Sequence, residues 1–248
     1  MKKPPAPKMF KSVFQARYKP HLRFYDLLMG AAGKFTEYPH WRTNRLDVTL
    51  RNPDRRHSLA IKHESFGYTQ DSGDLTLEAE CVKHIVDDLP SALELDSFTR
   101  LGFLRRYLLP VDMSFEELTS VMIVKLYSQD SRLLKILPPK LEDFMYRLDS
   151  ADEDHRYHIT AGPVRKMQIP QLLSFNQDDH LASESAVETI RSIESKYPDV
   201  AIFFDIDFYR DGEIPVAEAQ EFIETGRSTV DQLVSNLGEY ILSTKVEA

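Results

Sequence analysis

The chain has few of the sequence features that mark disulfide-rich, membrane-spanning or secreted proteins. Its single cysteine, Cys81, cannot form an intramolecular disulfide and cannot build a thiolate metal site by itself. Its longest apolar runs, such as residues 201–204, are far shorter than the roughly 20 residues of a membrane-spanning helix. The basic residues 1–5 do not lead into the apolar stretch of a signal peptide. We therefore expect a cytoplasmic protein without a membrane span.

Several motifs of known chemistry are also absent. The sequence contains no phosphate-binding loop, no dinucleotide fingerprint, no Gly-x-Ser-x-Gly elbow and no His-Glu-x-x-His run. A formal charge of -8 at pH 7 opposes non-specific attraction to a phosphate backbone, although a local basic patch is compatible with it. These absences remove the ordinary nucleotide-binding interpretations, and we predict no cofactor.

What is present is a series of patterns typical of an α+β fold. Hydrophobic residues make up 42% of the chain and charged residues 28%, close to globular averages. Alternating apolar residues predict strands at 10–18, 45–51, 75–81, 98–108, 144–148, 155–159 and 201–209. Residues 55–66 are the predicted hairpin partner of the strand at 45–51. Helical spacing predicts helices at 22–33, 114–127, 185–193 and 215–241. Runs of strands favour antiparallel sheets with helices packed on one face, rather than a doubly wound parallel sheet.

The order of these elements predicts the organisation of the chain. Residues 1–9 are predicted to be a mobile arm, because prolines and lysines precede any pattern. Residues 10–130 form an N-terminal α+β half, and residues 131–248 form a C-terminal α+β half that ends in a long helix. Each half has strands followed by a helix, which is compatible with two β-rich halves that diverged after a duplication.

Three segments resemble a family of uncharacterised, sporadically distributed prokaryotic proteins of about 250 residues. They are the proline-rich lead into a strand at residues 4–18, the segment Arg-Leu-Gly-Phe-Leu-Arg-Arg-Tyr at 100–107, and Phe-Asp-Ile-Asp-Phe at 204–208. The resemblance implies a bacterial or archaeal accessory protein, and the sporadic distribution suggests a defence or toxin-neutralising system. It implies no known activity and no catalytic residues.

Two pairs of acidic residues are the candidates for a metal site. Asp205 and Asp207 are two residues apart on a predicted strand, so both carboxylates point to one face at a spacing of about 7 Å. Glu78 and Glu80 repeat the pattern on another predicted strand. Such carboxylates can hold divalent cations for hydrolysis. The more common alternative is a solvated sheet face or ion pairs to arginines such as Arg100, Arg105 and Arg106.

A cluster of arginines is the candidate for a nucleic-acid or other anionic ligand. The cluster occupies a predicted hairpin at residues 45–56 and its lead-in, where aromatic residues are interleaved. Its members are Arg42, Arg45, Arg51, Arg55 and Arg56, with Tyr38 and Trp41. The alternative is a solvated hairpin whose cations offset nearby acids, and the net acidity of the chain favours this alternative.

The functional hypotheses therefore belong to different classes. The first is a non-enzymatic binding protein, with a protein partner or a second copy of the chain at the C-terminal helix, whose apolar positions exceed one packing face. The second is a divalent-metal-dependent hydrolase or nuclease that uses Asp205 and Asp207 with Glu78 or Glu80. The third is a nucleic-acid binder that uses the arginine hairpin.

Overall fold

A single antiparallel sheet of nine strands organises the protein. The computed structural model describes residues 6–44, 46–71, 73–126, 144–169, 172 and 197–243. The strands are β1 Lys8–Arg17, β2 His40–Thr43, β3 Asp47–Asn52, β4 His57–Lys62, β5 Ser65–Gln70, β6 Ser97–Pro110, β7 Tyr146–Ala151, β8 Arg156–Arg165 and β9 Val200–Pro215. Their order across the sheet is β2-β3-β4-β5-β1-β6-β9-β8-β7, and every neighbouring pair is antiparallel.

Four helices in the described ranges cover one face of this sheet. They are α1 Phe24–Ala32, α2 Leu75–Ala92, α3 Phe115–Leu126 and α4 Ala219–Leu242. Contacts run from α1 to α2, from α2 to α4 and from α4 to α3, so the helices form one layer. The main hydrophobic core lies between this layer and the sheet, and it contains residues of all four helices. The α+β fold with antiparallel strands, helices on one face and a long C-terminal helix is confirmed.

Strand β9 shows how the alternation in the sequence becomes a two-sided sheet. Ile202, Phe204, Ile206 and Phe208 are fully buried beneath the helices. The intervening positions point to the other face of the sheet, because successive side chains alternate along a strand. The central strand β6 pairs with β9 over almost its whole length, from Ser97 to Pro110.

The predicted strand at residues 75–81 is wrong, because this segment is the beginning of helix α2. Leu75, Leu77, Ala79 and Cys81 do alternate, but a helical stripe continues beyond them through Ile85 and Leu89. The Asp74 side chain caps the helix by accepting a hydrogen bond of 3.0 Å from the Leu77 amide. The longer helical pattern and the cap therefore override the short alternation.

The two predicted halves share this one sheet, since β6 belongs to the first and β9 to the second. Strand β1 begins at Lys8, so the last residues of the predicted arm are part of the sheet. The helix predicted at 185–193 lies outside the described residues. No helix in the described part of the chain is both long and apolar enough to cross a membrane.

Candidate functional site

The face of the sheet opposite the helices, which we call the open face, carries most of the predicted site residues. Residues that pair directly in an antiparallel sheet point to the same face, so the pairing register shows which side chains are neighbours there. A small second core, which includes Leu108, Val164 and Phe203, occupies one corner of this face. Leu172 and Tyr197 pack against that corner. Elsewhere this face carries the charged residues described below together with short or apolar ones such as the directly paired Val13 and Leu104.

A row of residues that are short except for Gln15 crosses the middle of the open face. The pairing registers align one residue from each of five neighbouring strands, β3, β4, β5, β1 and β6. In that order they are Thr49, Ala60, Gly67, Gln15 and Gly102. We call this row the trough, and with strands about 4.8 Å apart it extends roughly 19 Å. Small residues on a strand allow another chain to approach the backbone closely.

Cations border the trough on one side. The neighbouring row consists of Asp47 on β3, Lys62 on β4, Ser65 on β5, Arg17 on β1 and Arg100 on β6. Arg17 and Arg100 lie directly opposite one another, an arrangement of like charges that destabilises a sheet unless it is compensated. Arg100 is compensated, since it lies 3.4 Å from Asp207 and stacks 3.9 Å above the Tyr209 ring.

Arg17 and Lys62 have no such close ion pair, although the charge of Arg17 acts on Asp207 and opposes the rise in its pKa. The Arg17 guanidinium donates to the Gln15 side chain at 3.3 Å. Within the described part of the chain, neither Arg17 nor Lys62 lies within 4.0 Å of a carboxylate. Both side chains are exposed. They line a cleft of about 650 Å³, whose other lining residues are Gln15, Tyr18, Leu46, Asp47, His63, Glu64, Ser65 and Thr99.

Asp205 and Asp207 lie on the open face, and each is paired with an arginine of β6. Arg106 Nε donates to Asp205 at 2.8 Å, and Arg100 Nη2 lies 3.4 Å from Asp207. Partial burial raises the pKa of both carboxyl groups, and the neighbouring arginines oppose that shift. The two acids are thus accommodated by ion pairs, which was the more common alternative for this pattern.

Glu78 and Glu80 lie on the other side of the sheet, because α2 belongs to the helix layer. The prediction that they join Asp205 and Asp207 at one site rested on the strand at 75–81 and is wrong with it. Within the described ranges, no three His, Cys, Asp or Glu side chains are placed to hold a metal ion. The metal hypothesis therefore has no ligand set there beyond the arginine-paired aspartates.

Glu78 instead belongs to a buried charge network that the sequence analysis did not predict as a unit. Glu78 is 0% exposed and accepts hydrogen bonds from Ser12 and from Arg105, whose Nε lies 3.1 Å away. Arg105 is 2% exposed and also contacts Asp231 of α4 at 2.8 Å. Arg227 of α4 lies 3.3 Å from the same Glu78 carboxylate. The network joins α2 and α4 to the centre of the sheet.

Two members of the predicted arginine cluster, Arg42 and Arg51, line one cleft of about 280 Å³ on the first strands of the sheet. Arg42 pairs with Thr49 and continues the trough onto β2, and Arg51 pairs with Ser58 in the next row. Arg55 and Arg56 lie in the turn between β3 and β4, beyond the end of those rows. Arg45 lies outside the described residues. Of the interleaved aromatic residues, Tyr38 is buried and Trp41 is exposed.

A second buried polar group lies between α2 and the sheet. His57 is 4% exposed, its Nδ1 lies 3.9 Å from the Cys81 sulfur, and its ring is 4.7 Å from the Tyr38 ring. Among the residues that the structure describes, His57 Nε2 and the Tyr38 hydroxyl have no hydrogen-bond partner. Burial, with a further contribution from Arg55, lowers the pKa of His57 to about 4. Burial also raises the pKa of the Cys81 thiol, which makes it a poor nucleophile.

The C-terminal helix buries most of its apolar side chains inside the chain itself. Phe222, Ile223, Val230, Val234 and Ile241 are buried in α4, and the main core contains all five. The surplus of apolar positions, on which the predicted partner contact rested, is therefore largely used in packing against the sheet and the neighbouring helices. A partner at α4 remains a prediction without further support.

Comparison with protein-family models gives no match for this chain, and comparison with curated proteins gives none either. The resemblance to a sporadically distributed prokaryotic family therefore stays a prediction. The proposed function therefore rests on the geometry of the open face.

Proposed function

We propose that the protein is a non-enzymatic binding protein that holds an acidic segment of a partner protein in the trough. The observation that supports it most directly is the row from Thr49 to Gly102, in which every residue but Gln15 is short, bordered by Lys62, Arg17 and Arg100. The short residues admit close approach of an extended chain, and the cations beside them favour carboxylates.

The same geometry favours a polypeptide over single-stranded nucleic acid. Proteins that bind single strands combine a basic groove with aromatic side chains on which bases stack. The trough from Thr49 to Gly102 contains no aromatic residue. A net charge of -8 also repels a long polyanion, whereas a short segment with a few carboxylates experiences mainly the local cations.

Filling the trough tests this proposal. We expect Ala60→Trp to weaken binding of a fluorescein-labelled, glutamate-rich peptide at least about tenfold in fluorescence anisotropy, because the indole would occupy the floor. Thr43→Trp is the matched control, since Thr43 is a strand residue accessible to solvent that pairs with the buried Val48 and points to the opposite face. A lysine-rich peptide should not bind.

Two outcomes would overturn the proposal. One is equal affinity of the glutamate-rich peptide for the unchanged protein and for Ala60→Trp. The other is tighter binding of a single-stranded oligothymidylate than of the peptide. That result would support nucleic-acid binding at the open face instead.

A further inference from the structure

We infer that the cleft beside the trough is a binding site for a phosphate group, with Arg17, Ser65 and Lys62 as its principal donors. These three residues occupy directly paired positions on the adjacent strands β1, β5 and β4. Neighbouring strands are about 4.8 Å apart, so the two long cationic side chains flank the short serine and can both reach a group above it.

The chemistry of these donors fits phosphate better than a carboxylate. A guanidinium offers a planar fork of N–H donors, an ammonium offers a point charge with three donors, and the serine adds a hydroxyl. The two cations can approach a bound group from either side, and the serine hydroxyl can approach it from the sheet. This arrangement suits an anion with several acceptor oxygens. Thr99 and His63 line the same cleft and extend the donor set.

The cleft is lined by charges of both signs, Arg17 and Lys62 on one hand and Asp47 and Glu64 on the other. Asp47 pairs in register with Lys62, but its carboxylate accepts a 2.7 Å hydrogen bond from Asn44 instead of contacting the lysine. Arg17 lies directly opposite Arg100, which has Asp207 and Asp211 as partners at 3.4 and 3.9 Å. A bound phosphate would give Arg17 a closer negative partner than Asp207, on which its charge acts from more than 4.0 Å away.

This inference rests on the proposed function only for the origin of the phosphate, which we assign to a phosphorylated residue of the partner segment. The site itself is tested with inorganic phosphate, monitored through the amide resonances of Arg17, Ser65 and Lys62 at low ionic strength. We expect saturable shifts whose apparent Kd rises roughly tenfold or more in Arg17→Gln and in Lys62→Gln, since each removes a charge-assisted hydrogen bond.

Arg42→Gln is the matched control, because Arg42 is exposed on the same face but lies outside the cleft. It should leave the Kd for phosphate unchanged. Circular dichroism checks that each variant is folded, and removal of the exposed Arg17 should not unfold the sheet. Shifts that increase linearly without saturation, or a Kd equal in all three variants and the unchanged protein, would overturn the inference.

A second comparison identifies the source of the phosphate and separates the two proposals. A phosphoserine peptide that binds at least about tenfold more tightly than inorganic phosphate, and loses that advantage in Ala60→Trp, supports both the cleft and the trough. Equal affinity for the two probes supports the cleft as a site for free phosphate and counts against the proposed partner.

Discussion

Buried titratable side chains give this protein two pH-dependent contributions to stability that have opposite signs. His57 has a pKa lowered to about 4, so between about pH 4 and 6.5 the unfolded state binds more protons and the folded state loses stability as the pH falls. Asp205 and Asp207 have raised pKa values, so their contribution is lost as the pH rises through those values. Burial also raises the pKa of Asp71, and hydrogen bonds lower the pKa of Asp152 to about 2, so the pH profile of the intact protein combines contributions of both signs.

Replacing His57 with phenylalanine isolates the histidine contribution. We expect the free energy of unfolding of the unchanged protein to fall, relative to His57→Phe, by up to about 3 kcal/mol between pH 7 and pH 4.5. Phenylalanine keeps a ring beside Tyr38 but does not titrate. The free energy of unfolding of both proteins is measured in urea at the two pH values. The effect is the change with pH in the difference between the two proteins. The same difference in free energy of unfolding at both pH values would show that the pKa of His57 is not lowered in the folded protein.

The buried network around Glu78 explains how two helices are held in register with the sheet. Arg105 of β6 reaches Glu78 of α2 and Asp231 of α4, so one side chain contacts both helices. A buried ion pair contributes little compared with an apolar replacement, but loss of one partner leaves a charge without compensation. The network therefore specifies the position of the helices more than it stabilises the fold.

Glu78→Gln should lower the free energy of unfolding by about 3 kcal/mol, because Arg105 remains buried with only the half-exposed Asp231 as an acidic partner. Asp231→Asn should cost less than about 1 kcal/mol, since that carboxylate is partly solvated. Urea unfolding of Glu78→Leu, Arg105→Met and the double variant Glu78→Leu/Arg105→Met gives the coupling between the two residues. A loss in the double variant as large as that in Glu78→Gln would contradict this account, as the double variant leaves no unpaired buried arginine.

Sequence patterns predicted most strands and helices but not how they are placed side by side. The apolar alternation of β1 and β9 and the Ser114–Glu117 capping box of α3 are local signals, and the structure contains all three. The strand predicted at 75–81 was wrong because a short run of alternating apolar residues is compatible with both a strand and a helix. A longer window through Leu89, together with the Asp74 cap, carries the helical signal.

The candidate site was less accessible to such reasoning, because it depends on register between strands that are distant in sequence. Gly67 within a strand signals a close approach of another chain, and it could have been noticed. That Gln15 lies between Gly67 and Gly102 follows only from the pairing of β1 with β5 and β6. Local periodicity contains no information on that pairing, so neither the trough nor the cleft follows from the sequence.

The shared sheet makes the two predicted halves one folding unit. Strand β9 is bordered by β6 of the first half and β8 of the second, and the main core includes residues of both. Separating the halves would expose an edge of β9 along with the apolar residues beneath α4. An independent C-terminal half would therefore lack one side of its central strand.

We accordingly expect one cooperative transition in urea. Trp41, the single tryptophan, reports on the first half through its fluorescence, and backbone circular dichroism reports on the whole chain. The two curves should share one midpoint, and amide hydrogen exchange should give the innermost residues of β9 and β6 the same free energy of opening. Earlier exchange of β7, β8 and β9 than of β1 and β6 would show that the halves unfold separately, in spite of the β6–β9 pairing that joins them.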